Sequence, residues 1–561
     1  MVHPSHAGIG LLVAGLLGCS ACGTGRTATT PRPAPASAQN VQEEAPATPQ
    51  QLLDAIAAGQ TGSVRAALAQ HPDWLRQPEL FSIPPLHVAC SSGHLDLVEL
   101  LVESGADVDE PYQQRWTPLH AALTEGRGDI VRFLLDAGAK TTPDIGNPST
   151  LLNLSAARGD LELTRLLIER GASPRTTFTP VLYSAAASGN RALVEYLIAR
   201  GCDPRETTDG GASALHAAAA GGHHDLALWL LDAQGLDIHG VGRRAGTVAH
   251  AAARGGDLAL VKRAVEAGAV ASGGNELGQT ALHFAAMGGD VAVIEYLLAH
   301  GCEPHRRDKN GYTPLFCAAS EGRLAAVQAF VAHGAAIDER DPSGQPVLHV
   351  AAWGPESEDE AGTERAERKI AVARWLIEHG ADVNGVSYNR FTPLYEACIS
   401  GAPRMARMLI DLGADVHATN DYCYSLIHTA AYSDCPRLLD LLIAEGLDVN
   451  LRAPARKTTP LHCAVHEGSA AMIEALIARG AEVNAVDADG NTPLHWCRDS
   501  DKATALILHG GNLLLRNAQG QTPLDLNNPV LLIFNGGRSG AYAKWLYDEG
   551  LKLKTLPPPR S

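Results

Sequence analysis

The chain has 561 residues, with 62 acidic and 45 basic side chains, which gives a formal net charge of −17 at pH 7. This acidity argues against broad binding of nucleic acid, because a phosphate backbone requires a basic surface. It favours solubility but does not identify a partner. Only 5% of the residues are aromatic, which suits thin helical layers built from alanine and leucine.

The N-terminal segment differs from the rest of the chain. Residues 8–19 read GIGLLVAGLLGC, an apolar run too short to cross a bilayer as a helix. The run ends in LLGC, which resembles the lipobox of bacterial lipoproteins, in which the cysteine becomes the lipidated first residue. We therefore predict a signal peptide over residues 1–19 and lipidation at Cys19. We expect residues 20–49, rich in Pro, Ala and Thr, to form a disordered tether.

The same segment predicts a location. A lipidated Cys19 implies an anchor that faces the periplasm, and it is the one membrane association that we expect. Ser20 follows it and, by resemblance to enteric lipoproteins, favours the outer membrane. If the run is not a lipoprotein signal, the alternative is a secreted or cytoplasmic protein.

A short motif repeats from about residue 80 onward. TPLHAAL at Thr117 returns as SALHAAA at Ser213, TALHFAA at Thr280 and TPLHCAV at Thr459. The third residue of each copy serves as a marker, and the markers are Leu86, Leu119, Leu152, Leu182, Leu215, Ala249, Leu282, Leu315, Leu348, Leu394, Ile427, Leu461, Leu494 and Leu524. Most steps between markers are 33 or 34 residues, two are 30 and one is 46. A fixed period of this length predicts a solenoid, whose product is a long surface.

Each copy contains the signals of two short helices. Thr117 is a good N-cap, and Pro118 follows at the first helical position, where no N–H is needed. Gly93 ends the first helix of the preceding copy, because glycine adopts a left-handed conformation easily. The second helix of that copy, LDLVELLVESGA, places apolar residues at i, i+3 and i+4 on one face. The next 10 to 12 residues read as an extended turn.

This pattern of T-P-L-H-x-A-A, a glycine, a V-x-x-L-L helix and G-A-D-V-N resembles the ankyrin repeat. The resemblance implies an all-α solenoid of about 14–15 helix-turn-helix repeats over residues 50–535, with a degenerate opening copy. The 46-residue step contains an insertion at about 354–368, which we expect to be a solvated loop after Gly354. Residues 536–561 are predicted to be a C-terminal cap and tail, and we expect a monomer.

Histidine recurs at the fourth motif position. In the resembled family this histidine forms hydrogen bonds within and between repeats, and we expect the same structural role in this chain. Neighbouring copies lie about 10 Å apart, too far for two of them to bind one zinc ion. The positions concerned are His87, His120, His216, His250, His283, His349, His428, His462 and His495.

The sequence carries no catalytic or cofactor signature. It contains no P-loop, GxSxG, HExxH or dinucleotide-binding fingerprint, so we predict a binding protein without cofactor or metal, and not an enzyme. Most cysteines of the repeats replace small residues and read as buried apolar groups. Cys423 and Cys435 are less regular, and the spacing does not decide whether they are oxidised.

The turns between repeats carry the candidate binding residues. Proteins of the resembled family usually bind partners with these turns and the adjacent first helices, and aromatic residues and arginine are enriched at interface hot spots. The aromatic candidates are Tyr112, Trp116, Tyr388, Tyr422 and Tyr424. The basic candidates are Arg243, Arg244, Arg306, Arg307, Lys309, Arg390, Arg452, Arg456 and Lys457.

These residues lead to one hypothesis and two alternatives. The hypothesis is a concave face with basic tips that binds an acidic segment of a protein partner and no nucleic acid. The alternatives are a secreted or cytoplasmic effector and a helper or immunity protein for a specific envelope enzyme or toxin.

Overall fold

The computed structural model describes residues 46, 48–77, 80–112, 116–141, 151–174, 179–268, 273–354, 360–421 and 424–526. The predicted signal peptide, Cys19, nearly all of the tether and segment 536–561 lie outside these residues. Within them, no helix combines the length and the apolar character needed to cross a membrane.

The described residues form two compact units: the first extends to Ala285 and includes Ala299–Cys302, and the second comprises Ala286–Leu298 and the residues from Glu303 onward. In the first unit the first helices of the repeats are α1 (Pro49–Ala57), α3 (Pro85–Ser92), α5 (Pro118–Thr124), α7 (Leu151–Ala157), α9 (Val181–Ala187), α11 (Ala214–Ala220) and α13 (Val248–Gly255). The second helices are α2 (Thr61–Gln70), α4 (Leu95–Glu103), α6 (Gly128–Asp136), α8 (Leu161–Glu169), α10 (Arg191–Ala199), α12 (His224–Asp232) and α14 (Leu258–Glu266). A 3-10 turn, Trp74–Arg76, follows α2, and β1 (Val241–Gly242) pairs with β2 (Gly246–Thr247) in an antiparallel hairpin.

Helices α15 (Ala281–Gly288) and α16 (Val291–Ala299) contribute residues to both units. In the second unit the first helices are α17 (Pro314–Ser320), α19 (Val347–Ala352), α21 (Pro393–Ile399), α23 (Leu426–Tyr432), α25 (Pro460–His466) and α27 (Pro493–Trp496). The second helices are α18 (Leu324–Ala332), α20 (Glu360–Glu378), α22 (Pro403–Asp411), α24 (Pro436–Ala444), α26 (Ala470–Ala478) and α28 (Ser500–Leu508). The predicted all-α fold of helix-turn-helix repeats is confirmed.

The repeat markers form the core of each layer. Every marker from Leu86 to Leu494 is at most 2% exposed, and Leu524 is half-buried. Alanines beside them, such as Ala122 and Ala218, are fully buried, and their small side chains let neighbouring first helices pack closely. Gly93 caps α3 in the left-handed conformation at φ 84°, as the sequence predicts.

Basic side chains join several repeats to the one before. Arg127 donates to the carbonyls of Ser91 and Ser92 at the end of α3, both at 3.4 Å. Arg158 donates to the carbonyl of Thr124 at the end of α5, at 2.8 Å. These carbonyls have no partner within their helix and lie at the negative end of its dipole, so a guanidinium stabilises them.

The insertion differs from the loop that we expected. Residues 360–368 are the first half of α20, and residues 355–359 lie outside the described part of the chain. Helical continuation is favoured by an i,i+4 ion pair between Glu364 and Arg368 at 2.7 Å. The extension also contacts the next repeat, because Arg404 pairs with Glu367 at 2.9 Å. The loop prediction is therefore wrong for residues 360–368.

Candidate partner-binding surface

We call the extended turn between the second helix of one repeat and the first helix of the next a finger. A buried acidic or amide side chain fixes the shape of the finger. Asp308 Oδ1 accepts the backbone N–H groups of Asn310 and Tyr312 at 2.8 and 3.0 Å. Asp341 and Asp487 accept the N–H groups two and four residues further on in the same way. One carboxylate oxygen thus satisfies two amides, which holds the finger in a single conformation.

Neighbouring fingers are joined through their backbones. In the first unit, the N–H of Arg243 donates to Gly210 at 2.6 Å, and the N–H of Glu276 donates to Arg243 at 2.8 Å. In the second unit, the N–H of Ala488 donates to the carbonyl of Arg456 at 2.8 Å. Because these bonds use backbone atoms at the tips, the tip side chains extend from an ordered edge.

Two of the predicted binding arginines have partners inside the chain. Arg307 donates to the carbonyl of Gly311 at 2.6 Å and to Glu339 at 3.2 Å. Arg452 donates to the carbonyl of Val486 in the next finger at 2.9 Å. The structure therefore gives Arg307 and Arg452 a role in holding fingers, which distinguishes them from the other basic residues of the prediction.

The other basic candidates are exposed at the finger tips. Within the described part of the chain, no carboxylate lies at ion-pair distance from the side chains of Arg243, Arg244, Arg306, Lys309, Arg390, Arg456 and Lys457. Arg390 and Lys457 adopt positive φ angles of 58° and 52°, which place them at sharp turns. These residues give several fingers exposed basic tips on a chain whose net charge is −17.

The aromatic candidates fall into two groups. Tyr112 and Trp116 are half-buried and pair through their backbones, with both N–H···O distances 2.8 Å. The Tyr112 ring meets the edge of His87 at 5.8 Å, and the Trp116 ring packs on His120 at 5.0 Å. The ring of the half-buried Tyr424 likewise contacts the motif histidine of its own repeat. These three rings support the histidines of the repeats.

Tyr388 is the aromatic residue of the prediction that reaches solvent, with 73% of its surface exposed. Its ring lies over Gly344 of the preceding finger, where a Cβ atom would come within 2.6 Å of the ring. Tyr422 lies outside the described residues, as does Cys423, while Cys435 is half-buried with a free thiol.

The motif histidines use both ring nitrogens, one to bind the next repeat and the other to bind the N-cap of their own helix. His462 Nε2 contacts the carbonyl of Asn491 at 3.0 Å, so this nitrogen carries the proton. Its Nδ1 then accepts from the N–H and hydroxyl of Thr459 at 3.2 and 2.9 Å. Capping boxes of this kind also occur at His120, His216, His250 and His495.

Burial keeps these histidines neutral. It lowers the pKa values of His250 and His349 to about 4, since the charged form loses its hydration. The pKa of His120 falls to about 4 through burial and the neighbouring His87. Across the part of the chain that the structure describes, no three His, Cys, Asp or Glu side chains are arranged to hold a metal ion.

Two motif histidines lack the hydrogen bonds between Nδ1 and the N-cap residue. His87 and His349 follow Pro84 and Pro346 at the N-cap, and proline offers neither an N–H nor a hydroxyl. Their Nδ1 atoms are accordingly buried without a hydrogen-bond partner. Asn153 replaces the histidine in another copy, and its side-chain amide donates to the next repeat at 2.9 Å.

Two buried charged groups of the second unit are not among the residues predicted from the sequence. Glu396 is 1% exposed, accepts from Gln345 at 3.0 Å, and has its pKa raised to about 8 by burial and by Asp341. Lys369, 5% exposed, donates to the carbonyls of Val350, at 3.5 Å, and of Trp353, and so caps the six-residue helix α19. A glutamate and a lysine at unusual positions of the repeat were the available signals.

Family models match most of the chain. The model described as "Ankyrin repeats (3 copies)" matches residues 52–145, 152–240, 215–308, 289–359 and 427–517. The model described as "Ankyrin repeats (many copies)" matches residues 376–430.

Similarity to curated proteins is confined to short stretches. Human neurogenic locus notch homolog protein 1 is 40% identical over 72 residues, which are 12% of this chain and 3% of that protein. The ankyrin repeat-containing protein P1E11.10 of Schizosaccharomyces pombe is 31% identical over 104 residues, or 18% of this chain and 47% of that protein. The chain thus spans less than half the length of these relatives.

Solved structures of ankyrin repeat domains also match. The human ASB11 ankyrin repeat domain is 29% identical, with 40% of this chain and 99% of that chain covered and a TM-score of 0.34. The ankyrin repeat domain of Bcl-3 is 27% identical, with 40% and 100% covered and a TM-score of 0.32.

Proposed function

Because the chain belongs to the ankyrin-repeat family, we propose that it is a non-catalytic scaffold that binds an acidic segment of a protein partner with its finger tips. The supporting observation is the set of exposed basic tips that have no internal ion pair, with Arg306 and Lys309 on one finger. A basic edge on an acidic chain attracts acidic partners and repels basic ones, which gives specificity as well as faster association.

The finger geometry supports this role in a second way. The buried Asp308 fixes the turn that carries Arg306 and Lys309, so these side chains are presented on a backbone that is already ordered. Binding by an ordered surface avoids the entropy loss of folding a loop around the partner. The exposed Tyr388 adds an aromatic contact of the type enriched at hot spots.

Charge reversal at one finger tests the proposal. The double variant Arg306→Glu/Lys309→Glu is compared with wild type for binding of a fluorescein-labelled decaglutamate peptide and for cross-linked capture of partners from native membranes. The matched control, Arg132→Glu/Arg374→Glu, makes the same charge change at exposed positions of α6 and α20. We expect roughly tenfold weaker binding in the finger variant alone. An equal loss in both variants, or no loss in either, would refute the finger surface.

We further propose that Cys19 anchors this scaffold to a bacterial envelope, with the repeats on the periplasmic side. The support is the LLGC sequence after an apolar run, followed by a segment rich in proline and alanine. Labelled palmitate should enter the wild-type protein and not a Cys19→Ala variant. Incorporation into the variant would refute Cys19 as the lipidated residue. Recovery of wild-type protein in the soluble fraction would instead support the secreted or cytoplasmic alternative.

A further inference from the structure

The first helices of the second unit end in a row of bulky residues that the first unit lacks. The row occupies the position five residues after each marker, near the end of the first helix. In the marked copies that lie wholly in the first unit this position is Ser, Thr or Ala, except for Arg254, and the copy shared by the two units has Met287. In four successive repeats of the second unit it holds Trp353, Ile399, Tyr432 and His466. Tyr432 is 45% exposed, His466 is exposed, and Trp353 and Ile399 are half-buried, so solvent reaches each residue of the row.

At one end of this row, the rings of His466 and Trp496 form a cluster with a fixed arrangement. The rings of His466 and Trp496 lie 6.4 Å apart at an interplanar angle of 73°. Trp496 Nε1 donates to Asp487 at 3.1 Å, and the same ring meets His462 edge-on at 5.4 Å. Because its N–H and one edge are held, the indole is oriented before any ligand arrives.

The carboxylate of Glu467 lies beside the His466–Trp496 cluster. Glu467 caps α25, its Oε1 is 3.0 Å from His466 Nδ1, and its side chain is 46% exposed. It is close enough to Tyr432 that burial and the negative charge of Glu467 together raise the pKa of the phenol. The ammonium group of Lys502 donates to the carbonyl of Val465, next to His466 in the chain, at 3.2 Å.

We propose that Tyr432, His466, Glu467 and Trp496 form a site for an arginine side chain of a partner polypeptide. A guanidinium is attracted to the faces of aromatic rings and forms strong hydrogen bonds with a carboxylate, and this cluster offers both. The rest of the row, Ile399 and Trp353, would contact apolar residues of the same segment. The inference rests on the proposed scaffold function and adds a cation-binding position to its basic finger tips.

The test uses a small probe, which avoids general attraction between a basic peptide and an acidic protein. N-acetyl-arginine methylamide is titrated into protein labelled with 5-fluorotryptophan, and the ¹⁹F resonance of Trp496 is assigned with a Trp496→Phe variant. The citrulline analogue has the same shape without the charge. We expect the arginine probe to shift this resonance, and the citrulline probe to bind several-fold more weakly.

Matched variants make the result specific. Tyr432→Ser introduces the residue that the first unit has at Ser91, and Glu467→Gln removes the carboxylate; each should weaken binding about three- to tenfold. Glu125→Gln removes a carboxylate at the equivalent position of α5, beside Thr124, and should leave binding unchanged. Equal binding of both probes, an equal effect of Glu125→Gln, or no shift at the highest soluble probe concentration would overturn the site.

The outcome is separable from that of the finger experiment. Arg306→Glu/Lys309→Glu should leave the arginine titration intact, while Glu467→Gln should leave decaglutamate binding intact. A protein that binds the acidic peptide but not the arginine probe would keep the scaffold function and lose this site.

Discussion

His349 Nε2 lies 2.8 Å from the backbone carbonyl oxygen of Phe391, although 42 residues separate the two in the chain. The same contact joins His462 and Asn491 across 29 residues. The insertion therefore adds length to one repeat, including the first half of α20, without changing how the next finger contacts the histidine.

The bridge formed by His462 predicts a large local contribution to stability. His462→Ala removes the contact to Asn491 and leaves Thr459 without the ring that completes its cap. We expect a loss of roughly 2–4 kcal/mol in the free energy of unfolding, measured by urea denaturation. His466→Ala changes an exposed histidine of the same helix and should have little effect. Comparable losses in the two variants would contradict the bridging role.

The buried histidines predict a destabilisation in mild acid. In the folded protein the pKa values of His120, His250 and His349 fall to about 4, whereas the unfolded chain binds the proton near pH 6.5. Their stabilisation is therefore complete above about pH 6.5 and is lost as the pH falls toward 4. At pH 5 the loss should be roughly 1–2 kcal/mol for each of them, measured by urea titrations from pH 7.5 to 5.

A single substitution tests whether the buried histidines cause this dependence of the free energy of unfolding on pH, which is the slope of the titration. His349→Asn introduces the residue that Asn153 provides in another copy, where its amide reaches the next repeat. The variant should lose part of the pH dependence between 6.5 and 5. His239→Gln, at an exposed position, should keep the wild-type slope. If both variants keep it, the slope arises elsewhere.

Glu396 predicts the opposite dependence on pH. Burial and Asp341 raise its pKa to about 8 in the folded protein, whereas the unfolded chain releases this proton near pH 4.5. Folding therefore becomes less favourable as the pH rises from about 4.5 toward 8. Glu396→Gln should stabilise the protein by roughly 1–3 kcal/mol at pH 8 and have a smaller effect at pH 5. A variant less stable than wild type at pH 8 would show that the charged form is accommodated.

The proline before His349 predicts a stabilising substitution. Pro346→Thr supplies the N–H and hydroxyl that the other capping boxes offer to the histidine ring, which now has an unpaired Nδ1. We expect a gain of roughly 0.5–1.5 kcal/mol in the free energy of unfolding. Pro454→Thr controls for the freedom that the unfolded chain gains when a proline is removed. A gain no larger than that of the control would mean that the ring finds no new partner.

The sequence by itself determined the architecture, because the signals that shape one repeat are local. The N-cap of Thr117, the glycine at Gly93 and the apolar spacing of α4 all act within about ten residues of the helices that they define. The markers then follow from the period, and every one from Leu86 to Leu494 is buried. The finger tips were likewise found as breaks in the helical pattern.

Only the tertiary structure decided what individual side chains contact. Arg452 and Arg456 look alike in sequence, and both are exposed. Arg452 donates to Val486 of the next finger, while among the described residues no carboxylate lies at ion-pair distance from Arg456. Lys369 of α20 caps α19. Trp496 is oriented by Asp487 next to His466. Such contacts join groups about one repeat apart or across a turn. Whether a donor is used inside the chain or left for a partner therefore depends on the packing of neighbouring repeats, which no single copy of the motif specifies.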